Sequence, residues 1–272
     1  MTYDAAGNLT NDGQGSAYTY DAENRLTATT ATAGYSYVYD GDGKRVKKCS
    51  NSGCTTGKLY WTGMGSDPLA ESGVGGSNTE EYVFFNGKRV ARRDVSNLAV
   101  HYYFSDHLGS ASVITDSLGT LQKEADYYPF GGESVVSGSD INNYKFTGKE
   151  RDTESALDNF GARYNASSRG RFMSSDSTQL KRNRLFEPQR LNLYAYSVNN
   201  PLSFVDPDGK DAIAISFQDA HYHGLGAIFG NQWWSLGHAG IVTVDSKGHA
   251  VYFDKNQSGV HKEDLGPVKL EQ

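Results

Sequence analysis

One pattern, written three times near the start of the chain, decides the fold: Tyr3-Asp4-Ala5-Ala6-Gly7-Asn8-Leu9-Thr10, then Tyr20-Asp21-Ala22-Glu23-Asn24-Arg25-Leu26-Thr27, then Tyr39-Asp40-Gly41-Asp42-Gly43-Lys44-Arg45-Val46. The tyrosines are 17 and 19 residues apart, a spacing that suits one β-hairpin per unit. Each position has a physical task. Tyr is a strand residue with a large amphipathic face. Asp starts a turn by accepting backbone N–H groups on its carboxylate. Gly or Asn takes the positive φ of a tight turn, and Leu or Val resumes the strand. Looser copies lie at Tyr82–Val90 and Val113–Leu121. Asn86-Gly87 is the strongest hairpin signal in the chain. The pattern predicts turns at residues 5–7, 22–24, 41–43 and 86–87, and a continuous antiparallel sheet.

Composition agrees. The 272 residues hold 31 Gly and 18 Tyr but only 6 Pro, the balance of aromatic strands joined by many turns. The length admits one large or two small domains. The net charge of −6 and the lack of a long Lys/Arg run call for no nucleic-acid partner. No apolar run reaches the ~20 residues of a membrane span, and the first residues carry no standard secretory signal. The two cysteines, Cys49 and Cys54, are too few for a four-ligand zinc site. They read as flanking a hairpin turn, and as a disulfide if the chain reaches an oxidising compartment.

Further landmarks follow in order: Asp106-His107-Leu108-Gly109-Ser110, Tyr128-Pro129-Phe130-Gly131, Phe146-Thr147-Gly148-Lys149-Glu150, and Phe160-Gly161-Ala162-Arg163-Tyr164. Then come Gly170-Arg171-Phe172-Met173-Ser174-Ser175-Asp176, Leu191-Asn192-Leu193-Tyr194-Ala195-Tyr196, and Asp206-Pro207-Asp208-Gly209. This series resembles the Rhs/YD-repeat proteins and their Rhs repeat-associated core, over residues 1 to about 209. The resemblance implies a mainly β fold. A curled antiparallel sheet of YD hairpins would form part of a hollow shell, with a core plug and a small α+β or β extension. It divides the chain into 1–135 (YD sheet), 136–209 (core) and 210–272 (a variable, toxin-type segment). It also implies that the chain is the distal part of a larger shell, so that upstream YD repeats are a partner. His107 reads as structural, at a strand-to-turn corner, since no nucleophile–base pair lies near it in sequence.

The same resemblance implies self-cleavage. Cores of this kind cut themselves just after Asp-Pro-x-Gly by an aspartyl-protease-like mechanism. Carried over, the signature is Asp206, Pro207 and Gly209, followed by Lys210. Asp176 matches the upstream acidic position and Arg171 its basic neighbour. Two carboxylates held close share a proton. One can then activate water while the other protonates the carbonyl. The same residues also read as an ordinary turn and a turn cap. Lys210 stands where cutting relatives usually carry a hydrophobic residue, and Ser177 where they carry Pro.

After Gly209 the character changes. Ala212–Phe217 and Leu236–Asp245 read as buried strands, and His249–Asp254 as the hairpin partner of the second. His238, in Gly237-His238-Ala239-Gly240, resembles the strand histidine of permuted papain-like hydrolases. No Cys follows it, and no spacing singles out Ser235 or Ser258 as a nucleophile. His221, His223 and His238 with Asp219 are side chains of metal-binding type without a specific pattern, so no metal or other cofactor is assigned.

These readings predict the C-terminal part of an Rhs-type toxin that encloses and releases an effector. It would be secreted or displayed by a route other than an N-terminal signal in this chain. An immunity protein and a secretion-system carrier would be its partners. The alternative is a non-enzymatic cell-surface YD protein that binds carbohydrate or another cell.

Overall fold

The structure, a computed structural model, describes residues 1–50, 53–63, 67–177, 188–210, 213–214, 239–244, 249–256 and 259–267. Twelve strands, from Tyr18–Tyr20 to Glu133–Gly138, form one sheet in which every strand pairs antiparallel with its chain neighbour. The short strands Thr2–Tyr3 and Leu9–Asn11 pair ahead of it. A second meander of four strands follows: Glu150–Asp152, Leu157–Asn159, Tyr164–Ala166 and Arg171–Phe172. The fold is mainly β, as the repeats require. Among the described residues the only helical segments are short 3₁₀ turns.

The expected turns occur, and one geometry recurs. At Asp4, Asp21, Asp40, Asp106 and Asp116 the carboxylate Oδ1 accepts the N–H groups two and four residues on. In each case the Asp N–H donates to the carbonyl four residues on, and its carbonyl accepts the N–H three residues on. One side chain therefore satisfies the donors that a five-residue reversal would leave bare. The residue at the fourth position has φ between 62° and 90°: Gly7, Asn24, Gly43, Gly109 and Gly119. Asn86 and Gly87 both have positive φ (50° and 73°), as a two-residue hairpin needs.

One face of the long sheet is covered by the segment around the four-stranded meander. Tyr37, Tyr60, Tyr82 and Tyr103, one from every second strand, are buried there. The contact is ionic as well as aromatic. Arg45 forks onto Asp152 (2.6 and 3.0 Å) and Glu150 (2.6 Å). Lys48 reaches Asp152 at 2.9 Å and Glu154 at 3.2 Å, and Lys58 reaches Glu71 at 2.6 Å. Against the cost of burial, Arg45, Lys58 and Lys48 together draw the Glu150 carboxyl down to about 2. Burial pushes Glu71 up, and Glu150 beside it adds to the rise.

A second unit comprises residues 203–205 and 213–272. In it Phe204–Val205 pairs with Ile213–Ala214. Ala239–Val244, His249–Asn256 and Gly259–Pro267 form a three-stranded antiparallel sheet. The expected hairpin between the first two is present, and the third strand extends it. His221, His223, Asp219, Ser235, His238 and Ser258 lie outside the described residues.

Cys49 and Cys54 form a disulfide with a Cα–Cα distance of 4.8 Å. They are not opposite each other in the ladder. Cys49 pairs with Gly57, and Cys54 lies in the connecting loop.

Two stability predictions follow from these contacts. Arg45→Met removes the shared guanidinium partner of two buried carboxylates and should lower unfolding free energy by about 3–5 kcal/mol in urea titrations. A loss under 1 kcal/mol would remove the cluster from any structural role. Cys49→Ser should cost about 2 kcal/mol in oxidised protein, because a short loop is freed. The same substitution should cost far less when both proteins are measured in reductant.

Candidate active site at the signature turn

The Asp206-Pro207-Asp208-Gly209 stretch is a turn related to those of the sheet, but turned inward. Asp206 is 2% exposed. Its Oδ1 accepts the N–H groups of Gly209 (2.7 Å) and Lys210 (3.0 Å). Its Oδ2 accepts from Arg163 Nη2 at 3.2 Å. Burial pushes the Asp206 carboxyl up to about 6, against the pull of Arg163 and the Gly209 N–H, with Asp208 adding to the rise. Gly209 sits at φ +78°, where a Cβ would come within 2.9 Å of the Arg163 backbone nitrogen. Glycine is required by both conformation and space.

Arg163 organises the rest. Besides Asp206, it donates from Nε to the Gly209 carbonyl and from Nη1 to the Leu193 carbonyl at 3.2 Å. Its guanidinium lies 3.8 Å from the centre of the Phe172 ring. Phe172 belongs to a fully buried aromatic group with Phe160, Tyr196 and Phe146, at centroid separations of 5.4–5.8 Å. The landmarks at 146, 160, 172 and 196 are thus the packed support of the turn.

Asp176 reaches the same place from another direction. Its N–H donates to the Leu193 carbonyl at 2.8 Å, the oxygen that also receives Arg163. Asp176, Asp206, Arg163 and Lys210 line one cavity of about 40 Å³. That is room for about one water molecule with polar partners on several sides. The first YD turn buttresses the segment leading to Asp176: Leu9 N–H donates to the Met173 carbonyl at 2.9 Å, and Tyr194 Oη to the Gly7 carbonyl at 2.7 Å.

Arg171 is exposed and does not line this cavity; its backbone bridges to Ala195. The arginine on the aspartate is Arg163, which the sequence shows only as part of the Phe160–Tyr164 landmark. His107 serves a turn, with Nε2 3.3 Å from the Leu202 carbonyl. A larger cavity of about 610 Å³ runs between the buried ions at Arg45 and Glu150 and the turn at Gly209 and Lys210. Among the described residues no His/Cys/Asp/Glu group is arranged to hold a metal ion. No helix among them is long and apolar enough to cross a membrane.

Residues 1–202 match the Teneurin YD-shell family. The chain belongs to this family. It is 30% identical over 222 residues to the tRNA nuclease WapA of Bacillus subtilis, covering 77% of this chain and 9% of that protein. It is 26% identical over 234 residues to toxin subunit YenC1 of Yersinia entomophaga, covering 76% of this chain and 23% of that subunit. The chain thus spans about a tenth to a quarter of these relatives. The fold is shared with the Photorhabdus luminescens Tc holotoxin pore (TM-score 0.62, 24% identity, 76% of this chain and 10% of that one). It is also shared with TcdB2-TccC3 lacking its hypervariable C-terminal region (TM-score 0.61, 24% identity, 76% and 11%). The chain is a YD-shell segment similar to those of these toxin proteins.

The geometry at Gly209 makes a prediction of its own. Gly209→Ala should destabilise the unit of residues 1–202 and 206–212 by about 1–3 kcal/mol in denaturant, through strain at positive φ and the clash with Arg163. Gly41→Ala, where nothing lies within 4 Å of a new Cβ, should cost much less.

Proposed function

We propose that this chain is the distal shell and core of a polymorphic toxin. In this reading residues 1–135 form shell, 136–209 form core, and 210–272 are a variable effector segment freed by cutting after Gly209. The observation that supports the reading is the small cavity that Asp176, Asp206, Arg163 and Lys210 line together. Asp206, with its carboxyl near 6, is the acid. Its Oδ1 already lies 3.0 Å from the Lys210 nitrogen, the atom that must gain a proton when the bond breaks. Asp176 is the base for a water in the shared cavity. The bond is presented by the fold itself, so no substrate has to be captured from solution. Upstream YD repeats, a secretion-system carrier and an immunity protein are the partners this reading requires. Export from the producing cell belongs to the same reading.

The test is the size of the folded chain on a denaturing gel. Wild type should yield a scaffold and a fragment of residues 210–272. Asp176→Asn and Asp206→Asn should remain whole, with cutting slowed about 10²-fold or more, since an amide cannot exchange the proton. Cutting should slow as pH rises through about 6, because Asp206 then loses the proton it must give. Intact wild-type chain across this range contradicts the reading. Lys210→Leu should quicken cutting if the polar residue after glycine is what slows it.

A further inference from the structure

We propose that Arg163 is the electrophilic catalyst of the Gly209–Lys210 cut, holding the scissile carbonyl oxygen and receiving the charge that develops there. The inference rests on the self-cleavage reading above and goes beyond it, since two carboxylates alone leave that oxygen without a cationic donor.

The contacts of Arg163 are those the task needs. Its Nε–H donates to the Gly209 carbonyl oxygen, the acceptor of the bond to be cut. Its Nη2 donates to Asp206 Oδ2 at 3.2 Å and approaches the Lys210 carbonyl at 3.4 Å. Its Nη1 holds the Leu193 carbonyl, which fixes the Asp176 backbone. The peptide is therefore gripped on both sides, and the fork cannot leave one partner without disturbing the others. The guanidinium is 7% exposed and stacked on Phe172, so it acts in a site of low dielectric. A planar, permanently charged fork suits several fixed acceptors as an ammonium does not. Asp206 Oδ1 accepts the Lys210 N–H at 3.0 Å, so the acid already lies against the leaving nitrogen.

The step balances as a hydrolysis. Water attacks the Gly209 carbonyl carbon and gives a proton to Asp176. The C=O electron pair moves to the oxygen held by Arg163. When that pair returns, the C–N bond breaks and the Lys210 nitrogen takes the Asp206 proton. The products are a Lys210 amine and a Gly209 carboxylic acid, which ionises by returning a proton to Asp206. Water is the sole co-reactant.

The test uses the full chain, with folding checked by circular dichroism and cutting followed on denaturing gels. Removing a preorganised oxyanion donor typically slows catalysis about 10²–10³-fold. Arg163→Ala should show such a loss, and millimolar guanidinium chloride should restore part of the rate, which a purely structural role would not allow. Arg163→Lys, the variant for the case where Ala does not fold, should cut at least about tenfold slower than wild type. Wild-type cutting with Arg163→Lys at the wild-type rate overturns the role of Arg163 and leaves the dyad standing. A folded, slow Arg163→Ala that guanidinium does not restore also overturns it. Wild type that never cuts overturns the cleavage reading and this inference together.

Discussion

The fork of Arg45 on Asp152 and Glu150 is the interaction on which the rest of this structure depends. Arg45 stands in the third YD unit, and its partners are more than a hundred residues away in the core. Around it, Lys48 and Lys58 meet Glu71 and Glu154, so three cations face four carboxylates away from water. Such a cluster need not stabilise more than a well-packed apolar contact would. It does penalise every other register. If the core shifts by one residue along the sheet, buried charges lose their partners at several kcal/mol each. The sheet supplies a row of tyrosines that would accept many apolar occupants. The ions specify one.

That registration positions the site. The four-stranded meander that carries Glu150 and Asp152 also carries Tyr164, next to Arg163. Tyr164 itself receives Arg45 Nη1 at 2.9 Å. A continuous path of contacts therefore runs from a YD turn to the guanidinium that holds Asp206 and Gly209. The aromatic group at Phe146, Phe160, Phe172 and Tyr196 fixes the other side.

What the sequence disclosed was what is local. The Asp turns could be read because their hydrogen bonds reach no further than four residues, and meander pairing follows once the turns are known. Asp206 and Gly209 were legible for the same reason. The long-range partners were not. Arg45 looks like one more polar residue beside Lys44, and Arg163 like part of an aromatic landmark. Arg171 lies five residues from Asp176 in sequence, yet its side chain is exposed, because a strand sends alternate residues to opposite faces. The strand Gly259–Pro267 was missed since His261-Lys262-Glu263-Asp264 carries no apolar alternation. Cys54 was expected opposite Cys49, but the loop between the strands holds it instead.

The most direct measurement of the central claim is a double-mutant cycle on Arg45 and Asp152, using Arg45→Met and Asp152→Leu in urea unfolding of the full chain. If the ion pair is what registers core on sheet, the double variant should be less destabilised than the two single losses added together, by about 2 kcal/mol or more. Losses that add to within about 0.5 kcal/mol would show that the two side chains do not depend on each other, and would contradict the account.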